Sequence, residues 1–438
     1  MERYSEYKDS GVKWLGEIPS HWEVMPIKHS YKFTVGWTPP TGRNDLFEGN
    51  NLWANISDLG KKEINNTANR ISDSAVRLSG RSMSPKGSLL YSFKLSVGTV
   101  SFCGADMYTN EAIATFLKGK NSLKYLYYAA PIFIIKNANT NIYGAPILNQ
   151  DLIKNALVLL PPRSEQDAIV RYLDAATSKI DKAIAMQQKM IDLLNERKQI
   201  IIQNAVTKGL DENVEMKDSG VEWIGMIPKH WKIIRLKNVF YKRIAGSWGN
   251  EQNVSPKNTV CLRIADFEYS RLQFKKRENY TIRSYTAKEI ENKKLSKGDL
   301  LIEKSGGGEK SPVGRCVVYN LEIPDVMYAN FMEKLSTRGN VDSYFICYLL
   351  SCFYSQGMIW PYVKATTGIQ NLDIASLLSK EYIFVPPKSE QQAIVAYLDK
   401  QMQRFDSAIS NCQRQITLLQ ERKQIIINEV VTGKVKVS

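Results

Sequence analysis

Three Pro-Pro pairs, at 39–40, 161–162 and 386–387, are the first residues to test for chemistry. An adenine methyltransferase needs Asn or Asp before such a pair and an aromatic after it, to hold the target amino group. Here Thr38, Leu160 and Val385 precede the pairs and Thr41, Arg163 and Lys388 follow them, so none qualifies. A metal-dependent nuclease would want Pro-Asp followed by Glu-x-Lys. Pro324-Asp325 precedes Glu333, but position 335 is Leu, and the base is missing. The Gly-rich run SGGGEKSPVG (305–314) lacks phosphate-loop spacing, because Gly314 is followed by Arg315. Two readings of it stay open: a flexible turn, or a loop laid along nucleic-acid phosphates with Lys304 and Lys310 as contacts. The chain has only three His; two of them, His21 and His230, sit far from any Ser, Cys or Asp arrangement and read as packing or capping residues. Six Cys show no CxxC pairing and no zinc spacing, which reads as buried reduced thiols in a cytoplasmic protein. No catalytic, metal or cofactor site is expected.

Composition narrows the partners. The 438 residues allow two or three domains, and 43% hydrophobic with 24% charged residues is globular. Lys and Arg number 59 against 44 Asp and Glu, a formal net charge of +15. That excess favours an acidic partner, nucleic acid first and anionic membrane second. The N-terminus is charged and polar, unlike a signal peptide. The longest apolar runs, 125–135 and 344–354, are about half a membrane span and read as buried elements.

The elements that must position any site are written twice. KDSGVKWLGEIPSHW at 8–22 returns as KDSGVEWIGMIPKHW at 217–231. PPRSEQDAIVRYLD, opening 161–207, returns as PPKSEQQAIVAYLD, opening 386–432. In each of these later blocks apolar residues recur at heptad steps: Ile169, Leu173, Ile180, Ile184, Ile191, Leu194, Ile201 and Ala205, then Ile394, Leu398, Phe405, Ile409, Ile416, Leu419, Ile426 and Val430. Each block predicts a helix of roughly 60 Å, with Ser164 and Ser389 as N-caps. A seam that long is best buried by packing the two copies antiparallel. The stretches 29–160 and 238–385 carry short β-rich runs between Gly, Pro and Asn turns and predict two α/β or α+β globules. They share faint parallels: LWANISDL with VCLRIADF, KGSLLYS with KGDLLIE, and MYTN with MYAN.

These residues resemble the DNA-specificity subunit of type I restriction-modification enzymes over nearly the whole chain. The marks are the two PPxSEQ helix openings, ERKQIII near each helix end, and SGVKWLGEIPSHWE ahead of the first globule. VGWTPPTGRNDLFEGNNLWANISDL, LLYSFKLSVGTVSFCGADMYTNEAI, KGDLLIEKSGGG and TTGIQNL complete them. The resemblance implies a pseudo-twofold α/β (α+β) architecture: two target-recognition domains separated by two long antiparallel coiled-coil helices. The boundaries are 1–160 for the N-terminal joint and first recognition domain, 161–207 for the first helix, 208–385 for the second joint and domain, and 386–438 for the second helix and tail. It implies a non-catalytic subunit whose domains each read half of a split double-stranded DNA site. The helices would set the spacer and dock two methyltransferase subunits, with two motor-nuclease subunits joining for restriction and no membrane involved. The second domain opens with IAGSWGNEQ where the first has VGWTPPTG, so the two half-sites are expected to differ.

Base edges are read by Arg and Lys at guanine, Asn and Gln at adenine, and Ser or Thr at either. In the first domain the candidates are Thr38, Arg43, Asn55, Ser92, Lys94, Asn139, Asn141 and Tyr143. In the second they are Trp248, Asn250, Arg263, Lys304, Ser305, Lys310, Lys364, Thr366, Thr367 and Gln370. Arg70, Arg77 and the KKR run at 275–277 read as a solvated face or generic phosphate contacts. For both domains to meet one face of DNA, half-site centres should lie roughly 34 Å apart. The repeated ERKQ, at 196–199 and 421–424, fits either helix-to-helix salt bridges or docking of one partner per half. The twofold plan also puts the N-terminal block beside the end of the second helix, with the joints packed by Trp14, Trp22, Trp223 and Trp231.

Overall fold

The computed structural model describes residues 2–221, 224–308, 311–366 and 368–437. The chain divides into two compact units, residues 1–186 with 415–438, and residues 187–414. Each unit is built on the same frame. A mixed sheet in the first unit runs Phe33–Val35, Ile113–Phe116, Leu89–Ser92, Val100–Cys103, Glu63–Ile64, with only the last pairing parallel. The second unit repeats the order with Phe240–Ala245, Met332–Thr337, Leu300–Glu303, Cys316–Val318 and Gln273–Phe274, again parallel only at the last pairing, and adds Phe267–Glu268 at that edge. A smaller sheet places Asn51–Ala54 between Tyr108–Thr109 and Asn69–Ile71. Its counterpart places Lys257–Leu262 between Met327–Tyr328 and Ile282–Tyr285. The faint sequence parallels mark these equivalent strands.

The apolar run 125–135 forms the buried helix Leu123–Phe133 and the turn after it, and 344–354 lies within the buried helix Ser343–Ser355. Each packs on its sheet and contributes to the core of its unit. No helix among the described residues is long and apolar enough to cross a membrane.

The two repeated helical blocks form Arg163–Lys208 and Lys388–Val431. The first part of each long helix lies in one unit and the last part in the other. Within the first unit, Ile169, Val170 and Leu173 share a core with Ile427, Val430 and Val431. Within the second, Ile202 and Ala205 share one with Ile394, Leu398 and Met402. Both pairings are antiparallel. All the heptad residues are buried or half-buried, and full burial concentrates at the ends that also meet a globule.

The helix starts correct the capping expectation. The Gln166 and Gln391 amides bond the carbonyls of Pro162 and Pro387, so the prolines hold the cap position and Ser164 and Ser389 lie inside the first turn. The residues that follow, Glu and Gln, tie each helix to its unit. The Gln166 carboxamide accepts from the Ser122 amide at 2.9 Å and donates to the Pro161 carbonyl at 2.9 Å. Gln391 does the same with Asp342 at 2.8 Å and Pro386 at 2.9 Å. Ser122 and Asp342 are themselves the caps of the two core helices. The long helix therefore sets where the core helix begins.

Glu165 and Glu390 explain the His-Trp repeat. Glu165 meets His21 Nε2 at 2.6 Å and accepts from Trp22 Nε1 at 2.9 Å. Glu390 meets His230 Nε2 at 2.8 Å and accepts from Trp231 Nε1 at 3.0 Å. Trp22 and Trp231 are fully buried. Beyond each ring stands the glycine that ends the other long helix: Gly433 against Trp22 and Pro19, Gly209 against Trp231. Both glycines have positive φ, at 72° and 75°. Glu2 bridges Lys436, so the N-terminal block lies beside the end of the second long helix, as the twofold plan expected. Trp14 departs from the packing expectation, being 41% exposed beside Phe133 with Lys136 over its ring. Trp223 lies outside the described residues.

Candidate nucleic-acid interface

In each unit one loop crosses the end of the central strands at a glycine. A Cβ on Gly36 would sit 1.9 Å from the Thr109 carbonyl oxygen, and one on Gly246 would sit 2.1 Å from that of Ala329. Only glycine permits this approach. The next amides then bond across, Trp37 to the Thr109 carbonyl at 2.8 Å and Ser247 to the Tyr328 carbonyl at 2.9 Å. This brings the loops after Gly36 and Gly246 beside the turns at 109–112 and 328–331.

Polar side chains gather there in the first unit. The Thr38 hydroxyl donates to Glu111, and Lys94 Nζ stands 3.6 Å from the same carboxylate. The Thr38 hydrogen bond, with Lys94 adding to it, holds the Glu111 carboxyl below its ordinary range. Thr38 and Lys94 thus share one anchor, which sequence reasoning missed. Its signal was Glu111 following the repeated MYTN. Arg43 pairs with Asp45 at 2.6 Å on the same loop. Asn139 lies on a hairpin with Pro146–Ile147. The Asn141 side chain accepts from the amides of Tyr143 and Ala145, which leaves Tyr143 87% exposed at the tip.

The second unit brings its candidates together more closely. Ser305–Gly306 pairs with Gln370–Asn371, and Val363–Thr366 closes a three-stranded sheet. Lys304, Ser305, Lys364, Thr366 and Gln370 therefore lie on one small sheet or at its edge. The Lys304 amide bonds the Phe331 carbonyl at 2.8 Å, which ties that sheet to the 328–331 turn. Lys364 stands 3.5 Å from Asp373. Asn250 bridges Ser284, and the Arg283 guanidinium stacks 4.9 Å over the Trp248 ring. Arg283 is a second missed residue, hidden because it lies on a strand. Lys310 and Thr367 lie outside the described residues.

Asn55 and Arg263 occupy equivalent corners. Each precedes a short turn whose Asp, Asp58 or Asp266, accepts the corner amide at 2.9 or 2.8 Å. One frame presents an amide in the first unit and a guanidinium in the second.

Two candidates are turned inward. Ser92 is fully buried with its hydroxyl on the Ser96 carbonyl, and Gln370 accepts the Val313 amide at 3.2 Å from a buried position. Both shape loops rather than present donors. For Gln370 the reason is strand alternation, and for Ser92 it is a strand buried at all four of its positions; residue type alone reveals neither.

A family profile described as the type I restriction modification DNA specificity domain matches residues 19–190 and again 228–419. The chain belongs to the type I restriction-modification DNA specificity family. The two matches fall on the two repeats. The chain is 22% identical over 98% of its length to the type I restriction enzyme MjaVIII specificity subunit of Methanocaldococcus jannaschii, covering 97% of that protein. It is 23% identical, over 99% and 97%, to the MjaIX specificity subunit of the same organism. A solved chain from a type I R-M system matches with a TM-score of 0.70 at 17% identity, over 95% of this chain and 99% of that one.

The family's frame is the part the two units share here, and the polar side chains on it are the part that differs. Among the described residues no group of three or more His, Cys, Asp or Glu is placed to hold a metal. Burial pushes the Cys352 thiol up to about 11 and the Cys103 thiol up to about 12, away from thiolate reactivity.

Proposed function

We propose that this chain is the non-catalytic DNA-reading subunit of a type I restriction-modification complex. Each unit reads one half of a bipartite, asymmetric double-stranded site. The carrying observation is that the same loops recur on the same frame in both units with different side chains: Thr38, Lys94 and Asn55 in one, Trp248, Lys304 and Arg263 in the other. A repeated frame with divergent donors suits two readers of unlike half-sites. The net charge of +15 supports a phosphate-driven affinity that falls steeply with salt. The long helices, each running from one unit into the other, set the spacer. They also dock two methyltransferase subunits, through which two motor-nuclease subunits join, in the cytoplasm.

Mapping methylated adenines genome-wide in a host with and without this chain tests the reading. One split motif, lost when the chain is deleted, is expected; an unchanged methylation pattern refutes it. Methylation by the isolated chain would overturn its non-catalytic role. Sedimentation with the methyltransferase subunit should give two copies per chain.

A further inference from the structure

The loop after Gly246 is fastened to one strand by five consecutive carbonyls. The Tyr285 hydroxyl donates to the Ser247 carbonyl at 3.0 Å. The Arg283 guanidinium spans the next two, donating from Nε to Trp248 at 3.2 Å and from Nη2 to Gly249 at 3.3 Å. The Ser284 amide donates to the Asn250 carbonyl at 3.1 Å, and the Ser284 hydroxyl donates to that of Glu251. All the donors sit on the strand Ile282–Tyr285. Gly249 permits the approach: its φ is 67°, and a Cβ there would lie 2.6 Å from the Tyr285 ring and 2.9 Å from the Ser284 carbonyl oxygen. The Asn250 carboxamide is engaged as well, donating to the Ser255 hydroxyl at 2.9 Å.

The first unit makes the same junction without an arginine. Its Ser72 amide bonds the Leu46 carbonyl at 2.9 Å, as Ser284 bonds Asn250. The parallel of LWANISDL with VCLRIADF sets Ile71, opposite Asn51, where Arg283 stands opposite Thr259. Ile71 is buried. The guanidinium fork at this position therefore belongs to the second unit alone.

A guanidinium is planar, so its edge can bond two adjacent carbonyls while its face lies on an indole; an ammonium cannot do both. Arg283 covers one face of Trp248, 4.9 Å from the ring centroid, and leaves the residue 39% exposed. With these carbonyls satisfied inside the unit, binding has little of the loop left to order. The clamped indole is an apolar surface, and the methyl group that a base pair offers to such a surface in the major groove is thymine's. We propose that Trp248 reads the 5-methyl group of a thymine in the second unit's half-site, and that Arg283 is the positioning residue that sets the indole for it. This rests on the DNA-reading function proposed above.

Selection from a randomised duplex library, by the full chain with its methyltransferase subunit, first gives the split site. Each thymine in it is then replaced by deoxyuridine, which removes the methyl group alone. A thymine in one half-site should lose about fourfold in affinity, the worth of one buried methyl. Trp248→Ala and Arg283→Lys should each erase that penalty and leave the preferences of the other half-site unchanged. No penalty at any thymine, or a penalty that survives Trp248→Ala, overturns the proposal. A penalty retained by Arg283→Lys also defeats it, because lysine keeps the charge but not the fork. If Arg283→Ala weakens binding to all duplexes alike and lowers the slope of log affinity against log salt by about one, Arg283 is a phosphate contact and its positioning role fails. Arg283 variants that do not fold, or that relax both half-sites, would make it a folding residue and refute that role too. A wild-type complex that enriches no split sequence sinks the DNA-reading function itself.

Discussion

Glu165 and Glu390 do work that residue type alone hides, because their partners lie far away in sequence: His21 with Trp22, and His230 with Trp231. The repeat of HW and of SEQ was legible; that one exists for the other was not, since a 3.6-residue period says nothing of contacts beyond a turn or two. Removing the acceptor strands a buried indole N–H. Glu165→Ala should therefore cost about 1–3 kcal/mol, read as a lower urea midpoint by tryptophan fluorescence. Glu390→Ala should cost a similar amount. At the far side of the ring, Gly433 combines positive φ with 2.4 Å from a would-be Cβ to Pro19 Cδ. Gly433→Ala should lose about 1–3 kcal/mol, whereas Gly11→Ala, with equal φ strain but open space around it, should lose less. Equal losses at the two glycines would show that strain rather than packing governs the site. Ser92 and Gln370 mark the opposite failure, where side chains suited to base edges face inward on strands.

Among the elements, the long helices were the most legible, since a heptad seam over more than 40 residues has few alternative readings. The small sheet that gathers Lys304, Ser305, Lys364 and Gln370 was not, because it joins strands separated by more than 50 residues through backbone bonds. The repeated ERKQ also gains an account. Its lysines are Lys198 and Lys423, paired with Asp406 and Asp181 at 2.8 and 2.7 Å, one crossing in each unit. Burial separates them. The Lys198 and Asp406 side chains are 11% and 22% exposed, and the Ser270 carbonyl covers the pair; Lys423 and Asp181 are 28% and 54% exposed. Asp406→Ala leaves a covered ammonium without its carboxylate and should cost about 2 kcal/mol or more. Asp181→Ala should cost no more than about 1 kcal/mol and vanish in high salt. Thermal melts of the two variants at low and high salt separate these outcomes. Equal costs would mean that Ser270 contributes nothing. The residues of ERKQ that remain exposed, Glu196, Arg197 and Gln199 with Glu421, Arg422 and Gln424, are the ones left for a docked partner.

At the scale of the whole molecule, the twofold plan makes the position of the chain ends incidental. Glu2 and Lys436 pair through their backbones, and each long helix is locked to a Trp block by the same glutamate and glycine. A permutant that joins the ends through a short linker and opens the chain between Leu210 and Glu215 should keep its target sequence and spacer in methylation mapping. The spacer itself tests the helices. A heptad removed from both preserves each hydrophobic seam and shortens each helix by about 10 Å, equal to about three base pairs at 3.4 Å each. If the helices are the ruler, the methylated motif should keep both half-sites and lose about two to three spacer positions. Removing a heptad from one helix only would throw Lys198 and Asp406, or Lys423 and Asp181, out of register and should abolish binding rather than shift it. An unchanged spacer in the double deletion would place the ruler in the partner subunits, because the half-site separation would then be independent of the long helices, each of which has one part in either unit.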